Sequence, residues 1–341
     1  MSNRNYVVNE SDLERFDFTA RELMRVALSR GYAVEYSEAR PDNSVSGISH
    51  CTKGENYLAF RTDNTTLSPI FAYMASENKH LSAALFDRDN VPTPDSVTVP
   101  VNIDSKELID VVKKYGKLVV KPLTTNHGTG ITVGVDSANK ARDAIDFIKK
   151  IRPSDKFVML QKQIDGAKEY RFLVLKGKVI AVAHRRPPFI IGDGRRSIRE
   201  LIDELNLDER RGEGHRAVMT KVKISDVIKE NGEEFLDSIP GEDEQIDVLR
   251  VSNLSRGGTA EDFTDRTSDK LKDIAMRAAN SCFLGLAGVD MMTTDIENGD
   301  ENNSFVIEVN SAPGLRMHMY PSIGTSRDVA GQIFDVLEGK E

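Results

Sequence analysis

The sequence predicts an α+β chain divided into two or three subdomains, on three observations. Its 341 residues exceed what a single hydrophobic core ordinarily serves. β-Branched apolar runs within 117–133 and 157–175 each have the pattern strand, polar connector, strand. Between and around them, apolar residues recur at helical spacing in several segments.

Taken in order, Leu13, Phe16, Leu23, Val26 and Ala27 place an amphipathic helix over Ser11 to Ser29, with Ser11 as its cap and Gly31 ending it. Strands are expected at Tyr32 to Tyr36 and Asn56 to Arg61, separated by a polar surface loop. Helices at about 68–76 and 78–89 lead into VPTPDS, whose two prolines make an extended connector and a boundary. Asp104 to Tyr115 and Ala138 to Lys150 are helices flanking the strands on either side of Lys121. A stretch at about 187–248 holds Pro187-Pro188, a GDG turn and a helix near Ser197 to Asn206. Thr267 to Leu284 is an amphipathic helix, AGVDMM a buried strand ending with Asp290, and FVIEVN at 305–310 the last strand.

Composition narrows the class. The net charge is −8, from 46 basic and 54 acidic residues mixed along the chain, which argues against nucleic acid as a partner. Cys51 and Cys282 are the two cysteines, too few for a disulfide framework and without metal-ligand spacing, so free thiols in a reducing compartment are expected. The first residues are polar and charged, unlike a signal peptide. No apolar run approaches the roughly 18 residues of a membrane span. These features suggest a cytoplasmic protein without a membrane partner.

Three motifs carry chemistry. Glu308 and Asn310 stand two apart on the last strand and so point to one face, where a carboxylate and an amide oxygen suit magnesium shared with phosphate. As an edge strand with two solvated polar residues, the same segment would need no metal. In KLVVKPLTTNHGTGITV at 117–133, Gly128 and Gly130 let main-chain amides approach an anion, Lys121 supplies charge, and Asn126 and Thr129 add polar contacts. It lacks the Walker pattern, and a plain hairpin would also explain the glycines. The connector of FVMLQKQIDGAKEYRFLVL at 157–175 would let backbone around Gln161 to Ile164 meet an adenine edge, Ile164 pack on its face and Glu169 accept from ribose, although an ordinary hairpin needs none of this. Asp290 sits among Ala-Gly-Val and Met-Met, where ionisation is costly unless the carboxylate is paired or bound to a cation.

In order along the chain, NKHLSAALFDRDNVPTP at 78–94, KPLTTNHGTGIT at 121–132, the 168–194 segment beginning KEYRFLVL, RGEGHRAVMTKVKI at 211–224, VLRVSNLSRGGTAEDFTD at 248–265, AGVDMM at 287–292 and EVNSAPGLRMHMYPSIG at 308–324 resemble the ATP-grasp superfamily. More narrowly they resemble the ATP-grasp module of cyanophycin synthetases and the glutathione-synthetase half of bifunctional glutathione-forming enzymes, over Tyr57 to Phe334. The APGLRMH ending is more like cyanophycin synthetase. The resemblance implies an ATP-grasp fold: a small N-terminal α/β domain at 1–90, a small lobe at 91–165, and a large lobe at 166–341 with a lid-like insert at about 187–248, the two lobes clasping ATP.

It also implies roles. Lys79, Lys121, Asn126, Gly128, Thr129, Gly130, Gln161, Ile164 and Glu169 would bind ATP. Asp290, Glu308 and Asn310 would hold two magnesium ions, or manganese in their place. Arg250 would face the acyl phosphate and Asn253 the metal or phosphate region, while Arg171, His184, Gly257, Gly258, Arg316 and His318 would face substrate. Arg216 or Lys221 of the insert could also touch substrate or phosphate. The implied activity is ATP-dependent joining of an amino-acid or peptide carboxylate to an amine through an acyl phosphate. Glutathione-like tripeptide formation, modification of a peptide or protein terminus, and a nonenzymatic ATP-binding regulatory module stay open, as does a homodimer.

Two departures stand out. Gln161 occupies a place where many relatives carry Glu, and the connector to Glu169 is one residue longer. A glutamine carbonyl can still accept from the adenine amine. The N-terminal region is shorter than in cyanophycin synthetases, and neither a Mur-ligase-like domain nor a γ-glutamylcysteine-forming half is present, so a stand-alone amino-acid or peptide ligase is expected.

Overall fold

Asp104 and Ser137 each turn a side-chain oxygen back onto the first N–H groups of a helix, Ser105–Tyr115 and Ala138–Ile151, as capping predicts. Both helices pack on a four-stranded antiparallel sheet in the order Ser96–Pro100, Phe157–Lys162, Leu118–Pro122, Thr132–Val135. Leu118, Val120, Ile145, Ile148, Val158 and Leu160 form its closed core. The computed structural model describes residues 5–39, 47–125, 129–213, 217–250, 252 and 254–340. It divides into two compact units: Leu67–Val179 with Arg266–Pro313, and Met1–Thr66 with Ile180–Asp265 and Gly314–Glu341.

The sheet just described belongs to the first of these. So do three further antiparallel strands, Lys168–Leu175, Leu286–Thr293 and Ser304–Asn310. The middle strand is buried almost throughout, which suits its near-continuous apolar run. It continues through Asp290 to Thr293 rather than ending at the aspartate as expected, because the carboxylate is paired in place and does not have to leave the sheet. Helix Asp269–Ser281, capped by Ser268, packs on these strands. Helices Ile70–Glu77 and Lys79–Arg88 adjoin, and Asn78 caps the second by accepting from His80 and Leu81.

The other unit has a five-stranded antiparallel sheet running from Asn5–Val7 through Ala33–Ser37, Ile48–Lys53 and Asn56–Arg61 to Asn64–Thr65. The helix expected over Ser11 to Ser29 is two elements, a 3-10 turn at Glu10–Arg15 and an α-helix at Phe18–Ser29. Asp17 accepts from Ala20 N–H at 3.1 Å and starts the second helix, so Ser11 lies inside the turn and caps nothing. Ile48–Lys53 occupies what the sequence suggested was loop; its inward residues Ser49 and Cys51 are too polar or too few to show apolar alternation. The C-terminal helix Val329–Leu337 joins this layer through an edge contact between Tyr32 and Phe334 and the Arg30–Asp335 ion pair at 2.7 Å.

The 187–248 stretch builds a core of its own from Ile190, Ile198, Leu201, Ile202, Val227 and Leu236. Ser197 and Glu200 form a reciprocal capping box for its helix Ile198–Leu205. Cys51 and Cys282 are buried free thiols, and burial pushes each up to about 12. Among the described residues, no helix is long and apolar enough to cross a membrane.

Candidate functional site

Strand register lines up Arg171, Asp290 and Glu308 across three neighbouring strands. Directly opposed residues share a face, so a cation is followed by two carboxylates. Asp290 is 3% exposed and its charge is compensated within the row: Arg171 Nε donates to one carboxylate oxygen and Nη2 to the other at 2.8 Å. The third guanidinium nitrogen, Nη1, donates to the Pro313 carbonyl at 2.7 Å. Arg171, expected on the substrate, is therefore committed to holding Asp290. This fork-on-carboxylate geometry is what makes a buried charge pair tolerable. The desolvation argument for a metal at Asp290 is thus answered by an arginine, while the geometric argument remains.

That argument concerns Asn310. Its Nδ2 lies 3.4 Å from Asp290 Oδ2 and 3.4 Å from Glu308 Oε1, so the three expected ligands converge. The amide places its partial positive end between two anions. A hard divalent cation there would be taken by the carboxylate oxygens, and Asn310 would turn its amide by half a rotation to add its own oxygen. The donor set therefore fits magnesium. Among the described residues no group of three or more His, Cys, Asp or Glu could by itself hold a metal; two carboxylates and an amide leave positions that phosphate oxygens would fill.

Two buried lysines lie in the field of Glu308. Lys79, 7% exposed, opens the Lys79–Arg88 helix; its Nζ donates to the Thr125 carbonyl at 2.9 Å and lies 3.6 Å from Glu308 Oε2. Its backbone N–H reaches the Leu123 carbonyl, tying the helix start to the loop after Lys121. Lys121, 2% exposed, donates to Gln161 Oε1 at 2.8 Å. Burial pulls its ammonium down to about 8, with the Glu308 charge opposing and Lys79 reinforcing the shift. A desolvated ammonium facing a neutral amide favours arrival of an anion.

The loop between these strands is described in part. Gly130 has φ +79, and a Cβ there would sit 2.9 Å from Pro122 and 3.2 Å from Ile151, so glycine is required. Thr129 is exposed in the turn; Asn126 and Gly128, like Asn253 and Arg216 elsewhere, lie outside the described residues. At the connector, the N–H groups of Lys162 and Gln163 are taken by Asp95 and Lys117 carbonyls. The Ile164 side chain is half-buried, and Glu169 lies on the face of Arg171, two residues along one strand.

The remaining expected residues belong to the other unit. Arg316 donates to the Ala217 carbonyl at 2.7 Å, and burial lowers its guanidinium despite Asp63 and Asp17 nearby. His318 is 2% exposed. His184 sits across from Glu261, with its ring edge-on to Phe263. Arg250 is exposed, and its backbone N–H donates to Glu230. Gly257 has φ +94 and packs on Val222, while its carbonyl accepts from buried Arg211 at 3.0 Å; Gly258 is buried beside it. Sequence reasoning missed Gly288, whose absent side chain admits Arg171: a Cβ would lie 3.0 Å from that side chain and 3.1 Å from Pro313. Its signal was a glycine two residues before Asp290, hence on the same face.

The chain also matches known families. Residues 247–337 match the RimK-like ATP-grasp domain, and 91–201 match the ATP-grasp domain of prokaryotic glutathione synthetase. The chain is an ATP-grasp protein. Cyanophycin synthetase of Trichormus variabilis is 35% identical over 288 residues, 83% of this ATP-grasp chain and 31% of that protein. The glutathione biosynthesis bifunctional protein GshAB of Clostridium perfringens is 31% identical over 341 residues, 98% of this chain and 42% of that one. A crystal structure of a bifunctional glutathione synthetase from Pasteurella multocida superposes with a TM-score of 0.73 at 25% identity, covering 96% of this chain and 45% of that chain. The ATP-grasp chain spans under half the length of these relatives.

Proposed function

We propose that the chain is an ATP-dependent carboxylate–amine ligase acting on an amino acid or small peptide. The observation that carries this is the meeting of Asp290, Glu308 and Asn310 with the Lys79 ammonium beside Glu308. With Lys121 at the Gln161 end, two cations and three oxygen-bearing side chains support the reading of a bound triphosphate with its metals. A carboxylate does not yield its oxygen to an amine at neutral pH. In the proposed reaction a substrate carboxylate oxygen attacks the terminal phosphorus of ATP, the bond to ADP breaks, and an acyl phosphate results. The amine nitrogen then attacks the acyl carbon, phosphate leaves, and the amine gives up a proton.

Magnesium, two ions or manganese in their place, would neutralise phosphate charge when held by Asp290, Glu308 and Asn310. Lys79 and Lys121 would hold phosphate oxygens, Arg171 would keep Asp290 ionised and oriented, and Gly130 would let the loop backbone close on the phosphates. By resemblance, Arg250 and Asn253 remain assigned to the transferred group, and His184, Gly257, Gly258, Arg316 and His318 to substrate. The division at 1–90, 91–165 and 166–341, a cytoplasmic setting and a homodimer are further parts of the proposal.

A second reading, glutathione-like tripeptide formation, is favoured by the likeness of nearly the whole chain to bifunctional glutathione proteins. Mass spectrometry of products from ATP, magnesium and pooled amino acids and dipeptides separates the two. A product equal in mass to two substrates minus water names the reaction; ATP binding without ADP release under every acceptor would leave a nonenzymatic regulatory module. Glu308→Ala should lower ADP formation by about 10²–10³ or more while circular dichroism stays unchanged, and wild-type turnover in that variant would refute the metal assignment.

A further inference from the structure

Gln161 is 7% exposed, yet among the described residues only the oxygen of its amide has a hydrogen-bond partner. Strand register puts Lys121 opposite Met159, and Gln161 lies two residues on from Met159 along the same strand, so the lysine and the glutamine share a face. An ammonium group can only donate. The 2.8 Å contact from Lys121 Nζ therefore fixes the amide oxygen toward the lysine and leaves Nε2 on the other branch. Nε2 has no hydrogen-bond partner among the described residues. Turning the amide over would set two donors against each other and strand the buried ammonium.

A carboxylate at this position would behave differently. One oxygen would accept from Lys121, and the other would be an acceptor turned toward whatever lies beyond. The amide offers a donor there instead. The N–H of Ile164, three residues on, also has no partner among the described residues, and it is likewise a donor. If the connector at 161–164 meets a purine edge, as its sequence suggested and as ATP binding in the ligase proposal would have it, position 6 of the base meets a donor from Gln161 and N1 meets a donor from Ile164.

We infer that Gln161 determines base selectivity: by presenting a donor to purine position 6, it makes the site tolerant of a 6-oxopurine nucleotide. Adenine satisfies the Ile164 N–H through N1 but sets its 6-amino group against the Gln161 amide. Hypoxanthine does the reverse, satisfying Gln161 through O6 and setting N1–H against Ile164. The two bases exchange one matched contact for another and bind with similar strength. With a glutamate at 161, hypoxanthine would be mismatched at both positions and adenine at neither.

The inference rests on the nucleotide site of the ligase proposal, and one titration series tests the two separately. Magnesium ADP and magnesium IDP, which differ at C6 and at the N1 proton, are titrated calorimetrically into the wild-type chain, Gln161→Glu and Gln161→Leu. The wild type should bind the two diphosphates within about tenfold of each other, and Gln161→Glu should raise the preference for ADP by about tenfold or more. Gln161→Leu, which removes donor and acceptor together, should give an intermediate ratio, and it keeps the test open should the glutamate variant fold poorly. A wild-type preference for ADP of about a hundredfold or more, or a ratio unchanged in both variants, overturns the inference. Failure of the wild type to bind either diphosphate overturns the nucleotide site itself.

Discussion

Lys121 and Asp290 are both charges taken out of water, and they are held by opposite strategies. Asp290 has a full counter-charge in Arg171, whereas Lys121 has a neutral amide, and burial leaves its ammonium at about 8 against an ordinary 10.5. Between those values the unfolded chain holds a proton that the folded chain has released, so stability rises with pH from about 8 to 10.5. The rise should total roughly 3 kcal/mol in urea unfolding and be absent from Lys121→Met. Anionic phosphate reverses the preference, so nucleotide binding above pH 8 should take up a proton, seen as a dependence of the calorimetric enthalpy on buffer ionisation. For the other charge, Asp290→Ala leaves a buried guanidinium and should cost about 3–5 kcal/mol. The double variant Arg171→Met, Asp290→Leu should regain most of that stability by denaturant titration without regaining ADP formation. Asp290 could be singled out from sequence because a charge stood in an apolar run. Its partner could not, since nothing local shows that the residue opposite it comes from a strand more than a hundred positions earlier.

At the scale of elements, cross-strand register is what turns scattered residues into a site. Arg171, Asp290 and Glu308 are one row, and Gly288 and Asn310 are the next pair on the same face of the Asp290 and Glu308 strands. Gly288→Ala would place a methyl group 3.0 Å from Arg171 and 3.1 Å from Pro313 backbone, so both the side chain and the backbone must shift by a few tenths of an ångström. The expected result is a loss of about 1–3 kcal/mol, typical of overpacking, with a larger drop in magnesium-dependent nucleotide affinity than in melting temperature; equal affinity in variant and wild type would show that Arg171 does not position the carboxylate. Elements with strong periodicity or a clear cap, such as Ala138–Ile151 behind Ser137, were legible. Ile48–Lys53 was not, because its inward positions Ser49 and Cys51 carry little apolar signal and pairing on both sides decides the strand. Asp17 likewise took the capping role from Ser11 because its carboxylate reaches the N–H three residues on, a competition that spacing alone does not resolve.

At the scale of the whole molecule, the insert and the nucleotide residues belong to different compact units, each with its own core. Ile198, Ile202 and Val227 are fully buried within the insert cluster, as Leu118, Ile145 and Leu160 are in the sheet behind Lys121. The sequence placed the 187–248 stretch as an addition but could not show that it is a folded body, because its apolar residues are spread over short helices and strands. A core that closes on itself fails locally first. Ile202→Ala removes a fully buried branched side chain and should cost about 2–5 kcal/mol, read as faster amide exchange across Ile198–Leu205 and Ile224–Asn231. Exchange across Leu118–Pro122 and Phe157–Lys162 should stay at wild-type rates, and so should magnesium ADP affinity. If the insert is the wall that selects substrate, ligation should weaken through KM while nucleotide binding holds. Parallel loss of nucleotide affinity would mean that the two cores are one cooperative structure and that the insert serves stability instead of selection.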